Sequence, residues 1–218
     1  MSKQTYDKRQ EEYLEEILIT VDENDHAIGF NTKRECHLMA NINNGLIHRG
    51  FSVLLFNTNN ELLVTQRSDK KITFASCLTN SLCSHPLYND MEREEKDAIG
   101  VKRAAQRRLN YELGINVEIS DIVYITRFLY KAPYNEIWGE HEIDYLLIVR
   151  KDISLSPNPN EVSWCKWISK DQFKSTIASH GNRVGKWFQI IIDNYLYKIW
   201  NNISDVNICK SYQLINKF

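Results

Sequence analysis

The sequence lacks any long apolar run, and this absence limits the classes of protein it can encode. No window approaches the ~18 consecutive apolar residues of a membrane-spanning helix. Residues 1–16 are highly charged and lack the apolar core of a signal peptide. The formal net charge of −1 provides no overall attraction to nucleic acid or to an anionic membrane. We therefore expect a cytoplasmic protein with neither kind of partner.

The cysteines also lack the spacing of a disulfide framework, which favours a reducing compartment. They are Cys36, Cys77, Cys83, Cys165 and Cys209. The sequence has no internal repeat, low-complexity block or interior linker. Its 218 residues, 43% hydrophobic and 25% charged, have the size and composition of one globular domain. We expect a monomeric domain spanning 1–218, with a loose N-terminus at 1–10 and a peripheral tail at 202–218.

What the chain does contain is an alternation of strands and helices. Runs of β-favouring residues bounded by turn residues predict strands, and apolar ladders with an i, i+4 spacing predict helices. The predicted strands cover 17–21, 27–30, 51–56, 62–66, 122–130, 145–149 and 162–168. The predicted helices cover about 97–113, 170–178 with Ser169 as N-cap, and 184–199. This alternation predicts a mixed α/β fold in a single domain.

The segment 79–87 contains the residues that most suggest catalysis. Pro86 disfavours helix just before it. In an extended segment Cys83 and His85 point to the same side, so a proton carrier and a metal ligand could share one pocket wall. A buried cysteine is more often only a small apolar side chain, and that alternative stays open here.

A Glu-x-Glu pair precedes the most apolar predicted strand. In an extended segment the carboxylates of Glu140 and Glu142 lie on one face, where they repel unless a cation or a shared proton holds them. The other candidate ligands are His37, His48 and His85. Such a set of nitrogen and oxygen donors suits Mg²⁺, Mn²⁺ or Zn²⁺ without selecting one of them. The alternative is a charged strand end that faces water.

Cations that could hold a phosphate group are dispersed along the chain. They are Lys33, Arg67, Lys71 and Arg108. Arg108 and Glu112 are four residues apart on the helix predicted at 97–113, so their side chains project together. A solvated surface explains any one of these cations equally well.

Six segments together resemble the type I isopentenyl-diphosphate isomerases, an enzyme family with the Nudix fold. They are TKRECH at 32–37, GLIHR at 45–49, QRSD at 66–69, TNSLCSHP at 79–86, RAAQRRL at 103–109 followed by ELGI at 112–115, and WGEHEIDY at 138–145. The resemblance covers about 19–200. It implies a Nudix-type α/β/α sandwich with a mixed sheet.

The resemblance also implies a role for each candidate residue. Cys83 and Glu142 match the two catalytic residues, and Tyr130 and Trp167 match active-site aromatics. The implied ligands of an octahedral divalent metal are His37, His48, His85, Glu140 and Glu142. The implied diphosphate-holding residues are Lys33, Arg67, Lys71, Ser84 and Arg108. Glu112 matches a ligand of a second Mg²⁺ that travels with the diphosphate.

The implied reaction is the 1,3-allylic proton shift between isopentenyl diphosphate and dimethylallyl diphosphate in isoprenoid biosynthesis. Glu142 would protonate the terminal carbon, and Cys83 as thiolate would remove a proton from the carbon nearer the diphosphate. Trp167 would face the intermediate carbocation with its π-cloud. The pathway served stays open between sterols, dolichol, prenyl groups and a specialised terpene.

Two departures from related patterns bear on this expectation. Where a Nudix hydrolase has three glutamates that gather Mg²⁺, the run RRLNYELG at 107–114 keeps only Glu112. This disfavours a diphosphohydrolase, and the retained Cys83, Glu140 and Glu142 disfavour a catalytically silent binding module. The family's Phe-Pro-Gly before the cysteine segment is replaced by the residues at 74–76, Phe-Ala-Ser, which loses a rigid φ and a permissive glycine.

Overall fold

A mixed sheet forms the middle layer of the protein, which is described here from a computed structural model that covers residues 6–181 and 183–218. The strands in these residues are β1 (Ile17–Val21), β2 (Ala27–Thr32), β3 (Ile47–Phe56), β4 (Leu62–Arg67), β5 (Leu78–Thr79), β6 (Leu82–Ser84), β7 (Ile122–Pro133), β8 (Gly139–Arg150), β9 (Val162–Ile168) and β10 (Ile215–Lys217). Their main order is β10-β7-β8-β3-β1-β2. β4 and β6 both pair with β3, and β4 also pairs with β5 and β9.

The parallel pair β3–β8 is the centre of this sheet. Its register runs from His48 opposite Glu142 to Phe56 opposite Arg150. Every residue of β3 is buried, as expected for a strand that is covered on both faces. The same register places two polar residues, His48 and Glu142, opposite each other at the start of the pair.

Helices cover both faces of the sheet. They are α1 (Lys8–Tyr13), α2 (Lys33–His37), α3 (Met39–Asn43), α4 (Ile99–Leu113), α5 (Lys170–His180), α6 (Lys186–Ile191) and α7 (Tyr197–Asn201). Successive side chains of β3 point to opposite faces: Val53 joins the apolar cluster under α4, whereas Leu54 joins the cluster under α5, α6 and α7. This confirms the predicted α/β/α sandwich in a single domain.

Two helix boundaries differ from the sequence prediction for backbone reasons. α4 begins at Ile99 rather than near 97, because Asp97 and Ala98 have left-handed φ values of 54° and 55°. The helix predicted at 184–199 is divided, since a π-helical segment at Ile192–Leu196 separates α6 from α7. Ser169 caps α5 as predicted, accepting a hydrogen bond from the Gln172 amide.

The two ends of the chain are more structured than the sequence suggests. Residues 1–5 of the segment predicted to be loose lie outside the described residues, but α1 begins at Lys8 and is capped by Asp7. In the tail, β10 pairs in parallel with β7 and extends the sheet edge. None of the helices in the described residues is both long enough and apolar enough to cross a bilayer.

The loop at 73–76 has a left-handed backbone, which is costly here because Ser76 stands where the family pattern has glycine. Phe74 and Ser76 have φ values of 49° and 60°, in the left-handed region that favours glycine. The loop is held by Arg67, whose Nε donates to the Phe74 carbonyl at 3.1 Å and whose Nη2 donates to the Thr73 carbonyl at 3.0 Å. The strained turn is therefore attached directly to a predicted site residue.

Candidate active site

Three histidines from separate elements converge in the folded chain. His37 ends α2, His48 lies on β3, and His85 follows β6. One ligand atom from each ring lies within 4.8 Å of the others. Burial lowers the pKa of His37 well below its usual range and lowers the pKa of His85 to about 3. These two rings are therefore neutral near pH 7, which is the form that binds a metal.

Glu142 of β8 completes this cluster because it lies opposite His48 in the parallel register. Its Oε2 is 3.1 Å from His48 Nε2 and 3.2 Å from His85 Nε2. Although these distances are short, neither Glu142 Oε2 nor a ring nitrogen of His48 makes a hydrogen bond of acceptable direction. Burial would raise the pKa of Glu142, but the contacts with His48 and His85 lower it well below its usual range. The ionised carboxylate of Glu142 thus lies beside the neutral imidazole of His85, and Glu142 Oε2 and both ring nitrogens of His48 have no hydrogen bond.

Gly50 of β3 makes room for this carboxylate. A Cβ at Gly50 would overlap the side-chain oxygens of Glu142. The backbone of β3 therefore comes close to Glu142 only because this position has no side chain.

Tyr130 connects the two glutamates of the Glu-x-Glu pair. It lies opposite Glu142 in the antiparallel register of β7 and β8. Its hydroxyl is 2.7 Å from Glu140 Oε2 and also contacts Glu142 Oε1. A phenol has only one proton to donate. Burial, together with the charge of Glu142, raises the pKa of Glu140 to about 8, so Glu140 carries a proton at neutral pH and can supply the second hydrogen bond.

Cys83 lies on β6 and faces the same pocket as Glu142. It pairs with Ser52 of β3, and Arg67 Nη1 lies 3.7 Å from its sulfur. Burial raises the pKa of Cys83 to about 12, although Arg67 opposes the shift. In this form of the protein the side chain is therefore a thiol, whereas the sequence analysis expected a thiolate.

The pocket brings together most of the predicted catalytic, metal and diphosphate residues, but not His48, Tyr130, Trp167 or Glu112. Its lining includes Cys83, Ser84, His37, His85, Glu140, Glu142, Lys33, Arg67, Lys71 and Arg108. Burial, with repulsion from Lys71 and Arg108, lowers the pKa of Lys33 to about 8. Four cations, which we call the cationic side, thus line the same pocket as the imidazole–carboxylate cluster.

Glu112 is turned toward Arg108, one turn earlier on α4. Arg108 Nε and Nη2 donate to Glu112 Oε1 at 3.0 and 2.6 Å, and both side chains are buried. The pair is therefore a buried contact. Glu112 does not line the pocket, but it borders a small adjacent cavity together with Cys83, Arg67 and Lys71.

The predicted aromatic Trp167 does not line this pocket, whereas Trp187 does. Trp167 is on β9 opposite Leu63 and packs against the core under α4. Trp187 of α6 lines the pocket, donates a 2.7 Å hydrogen bond to Thr79 Oγ1, and lies 5.5 Å from the Arg67 guanidinium. Trp167 lies within the strand predicted at 162–168 and Trp187 within the helix predicted at 184–199, so the local pattern offered no signal to choose between them.

The residues that cover the pocket were not predicted from the sequence. Gln10, Tyr13 and Leu14, from α1 and the residue that follows it, line one side. These residues fall in a charged segment whose period gave no indication of a buried role. A second missed residue, Glu161, lies directly before β9 and contacts two of the pocket cations.

Comparisons with known proteins agree with this architecture. The family model for the NUDIX domain matches residues 46–188. The chain is 50% identical over 223 residues to the Isopentenyl-diphosphate Delta-isomerase 1 of Bos taurus, covering 100% of this chain and 98% of that protein. It is also 50% identical to the Isopentenyl-diphosphate delta-isomerase 2 of Homo sapiens, covering 92% and 91% of the two chains. Among solved structures, DR0079 from Deinococcus radiodurans aligns with a TM-score of 0.57 and 20% identity, over 83% of this chain and 100% of that one.

Proposed function

The chain belongs to the isopentenyl-diphosphate isomerases, a family of Nudix-fold enzymes, and from that membership we propose that it interconverts isopentenyl diphosphate and dimethylallyl diphosphate. The observation that carries the proposal is one pocket lined by Cys83, Glu142 and four cations. A proton carrier at each side of a bound alkene, with cations for its diphosphate, is what a 1,3-allylic proton shift requires.

The histidine–glutamate cluster fits a divalent cation. Its fit rests on the buried atoms of His48 and Glu142 that have no hydrogen bond, since such atoms are costly unless a partner satisfies them. His37, His48, His85, Glu140 and Glu142 would hold the ion, and Mg²⁺, Mn²⁺ and Zn²⁺ all accept such donors. When bound, the ion supplies positive charge that keeps the glutamates together. Glu112, which borders a small cavity beside the pocket together with Arg67 and Lys71, would hold a second Mg²⁺ brought by the diphosphate.

Glu142 and Cys83 would carry the two protons of the reaction. Glu142 is ionised in this form of the protein, so it must first receive a proton, which the protonated Glu140 can supply through the Tyr130 hydroxyl that contacts both glutamates. Glu142 then delivers this proton to the terminal carbon, which leaves a tertiary cation. Cys83 as thiolate then removes a proton from the carbon nearer the diphosphate, so the double bond moves and no atom is gained or lost. The high pKa of the Cys83 thiol, about 12, means that Arg67 and the bound state must favour the thiolate. In the reverse direction each group takes the other role.

Trp187 takes the part that the sequence analysis gave to Trp167. Its indole borders the pocket and is fixed by the hydrogen bond to Thr79. A desolvated aromatic face stabilises a nearby cation by about 2 kcal/mol or more. The covering helix α1 supports the same chemistry, because a carbocation survives only where water is excluded.

Purified protein with isopentenyl diphosphate and Mg²⁺ in heavy water tests this proposal by proton NMR. Deuterium-labelled dimethylallyl diphosphate is the expected product. Free phosphate without isomer would indicate a diphosphohydrolase, and no change would indicate a binding module; either result contradicts the proposal. We further propose a cytoplasmic monomer, which light scattering after size exclusion and localisation of a tagged chain would test.

A further inference from the structure

Glu161 is a buried carboxylate behind the cationic side of the pocket, and the reaction scheme above gives it no role. Its side chain is fully buried. It does not line the main pocket, as Lys71 and Arg108 do, and it borders only a small adjacent cavity that it shares with Lys71. Its Oε2 forms an ion pair with Lys71 Nζ and lies 3.5 Å from Arg108 Nη2. Burial would raise the pKa of Glu161, but Lys71 and Arg108 lower it to about 2. The carboxylate is therefore charged throughout the range in which the protein would work.

The backbone around Glu161 is fixed to the elements that carry both cations. The Glu161 carbonyl accepts a 2.9 Å hydrogen bond from the Ser68 amide, three residues before Lys71. The Asn158 amide donates to the Glu112 carbonyl at 2.8 Å, at the end of α4 that bears Arg108. Because these loops are hydrogen-bonded to one another, Glu161 has a defined position relative to both cations.

The second oxygen of Glu161 contacts the cover of the pocket. Gln10 of α1 donates through Nε2 to Glu161 Oε1 at 3.3 Å, and to Asn160 Oδ1 at 2.7 Å. One carboxylate thus contacts two pocket cations through Oε2 and the covering helix through Oε1. A lysine side chain is long and flexible, so a buried partner reduces the number of positions that its ammonium group samples.

We propose that Glu161 is a positioning residue for diphosphate binding: it holds Lys71 and Arg108 from behind so that their remaining N–H groups face the pocket. This inference rests on the proposed function, since it takes the bound group to be the diphosphate of the substrate. A negative charge near an anion weakens binding by simple Coulomb repulsion. Simple repulsion and positioning therefore predict opposite effects of removing the charge.

The test is the affinity for inorganic pyrophosphate, measured by calorimetry in Glu161→Gln at fixed salt. Positioning predicts that affinity falls by about tenfold or more, the effect of losing one charge-assisted contact. Repulsion alone predicts tighter binding. Glu16→Gln is the matched control, because Glu16 lies 3.8 Å from Lys33 of the same cation group but does not contact Lys71 or Arg108. We expect it to bind pyrophosphate as tightly as the unmodified protein or slightly more tightly.

A second variant covers the case in which Glu161→Gln fails to fold. Glu161→Asp keeps the charge but withdraws the carboxylate by one methylene, and it should weaken pyrophosphate binding in the same direction. In turnover, both variants should raise KM for isopentenyl diphosphate and leave kcat within about twofold, a split that a general loss of stability does not produce. Unchanged or tighter pyrophosphate binding in a folded variant would overturn the inference. Failure of the unmodified protein to isomerise would instead overturn the proposed function.

Discussion

The two sides of the pocket are prepared for their ligands in opposite ways. On the imidazole–carboxylate side, His48 and Glu142 come from neighbouring central strands, and several of their buried atoms have no hydrogen bond. On the cationic side, Lys71 and Arg108 are already paired with carboxylates of the protein. The first side, which we call the rigid side, therefore lacks hydrogen-bond partners for several buried atoms. The second, which we call the satisfied side, already has carboxylate partners for its cations, and these cations must share their N–H donors with an anion that binds. Buried atoms without hydrogen bonds suit a small metal ion that stays bound. Cations that are already paired with carboxylates suit a substrate that must be released after the reaction.

The largest expected effect comes from removing the proton carrier on the rigid side. Glu142→Gln keeps the shape of the side chain but cannot exchange a proton, so turnover should fall by about 10²–10⁴-fold, as for other general acids and bases. Proton NMR of product formation measures the effect, with pyrophosphate affinity as the control that the cationic side is intact. Near-normal turnover would show that the rigid side does not hold a proton carrier of the reaction.

Removing metal should act on the rigid side alone. Treatment with a chelator should lower the midpoint of thermal unfolding. An ion whose free concentration is 100 times its Kd contributes about 2.7 kcal/mol to the free energy of unfolding. Adding Mg²⁺, Mn²⁺ or Zn²⁺ back should restore it. His48→Gln should show no such response, whereas His26→Gln, at an exposed turn, should respond like the unmodified protein. If chelator leaves the midpoint of thermal unfolding unchanged in all three proteins, the metal site is contradicted.

The satisfied side should respond to pH instead. With its pKa lowered to about 8 by burial, Lys33 is charged below pH 8 and loses its charge above it. The KM for isopentenyl diphosphate should therefore rise above pH 8, by up to about tenfold at pH 9 if the charge is essential. Lys33→Arg stays charged and should flatten this rise. A KM that is independent of pH from 7 to 9 in the unmodified protein would remove Lys33 from the binding group.

The smallest expected effect concerns the loop at 73–76, which is hydrogen-bonded to Arg67 of the cationic side. Ser76→Gly relieves a left-handed backbone and should raise the free energy of unfolding by about 0.5–1 kcal/mol, the part of the strain that the entropy of glycine does not offset. Denaturant unfolding measures this. Ala75→Gly, at a neighbour without a positive φ, should instead lower stability. If both substitutions lower stability, the left-handed turn is not a source of strain.

Sequence motifs predicted the residues of the rigid side better than their arrangement. His37, His48, His85 and Glu142 were found because each lies in a segment with a recognisable pattern. Their convergence depends on the parallel register of β3 and β8, and strand pairing over such a separation cannot be read from local patterns. The α/β class was predictable from the local alternation of strands and helices, and the family resemblance implied the α/β/α sandwich. The strand order was not predictable, because it depends on pairing between distant segments.

The failures lie where one residue type has two equally good local explanations. Trp167 and Trp187 both fit an aromatic that borders a site, and only the packing of α6 brings Trp187 into the pocket. Glu161 looks like an exposed loop glutamate, because its burial results from contacts with Lys71 and Arg108 that are far away in the sequence. The left-handed backbone of Asp97 and Ala98 likewise has no signature in residue type, so the start of α4 was misjudged.

The missing side chain at Gly50 affects how reversibly this protein could lose its function. Because a Cβ there would overlap the carboxylate of Glu142, a substitution at position 50 would displace that carboxylate from its present orientation beside the histidines. A descendant that had first shortened Glu142 could acquire a side chain at 50 as a second step without this displacement. Once that second step was taken, restoring Glu142 alone would no longer recover activity. The glycine thus makes loss of function a sequence of steps that is difficult to reverse.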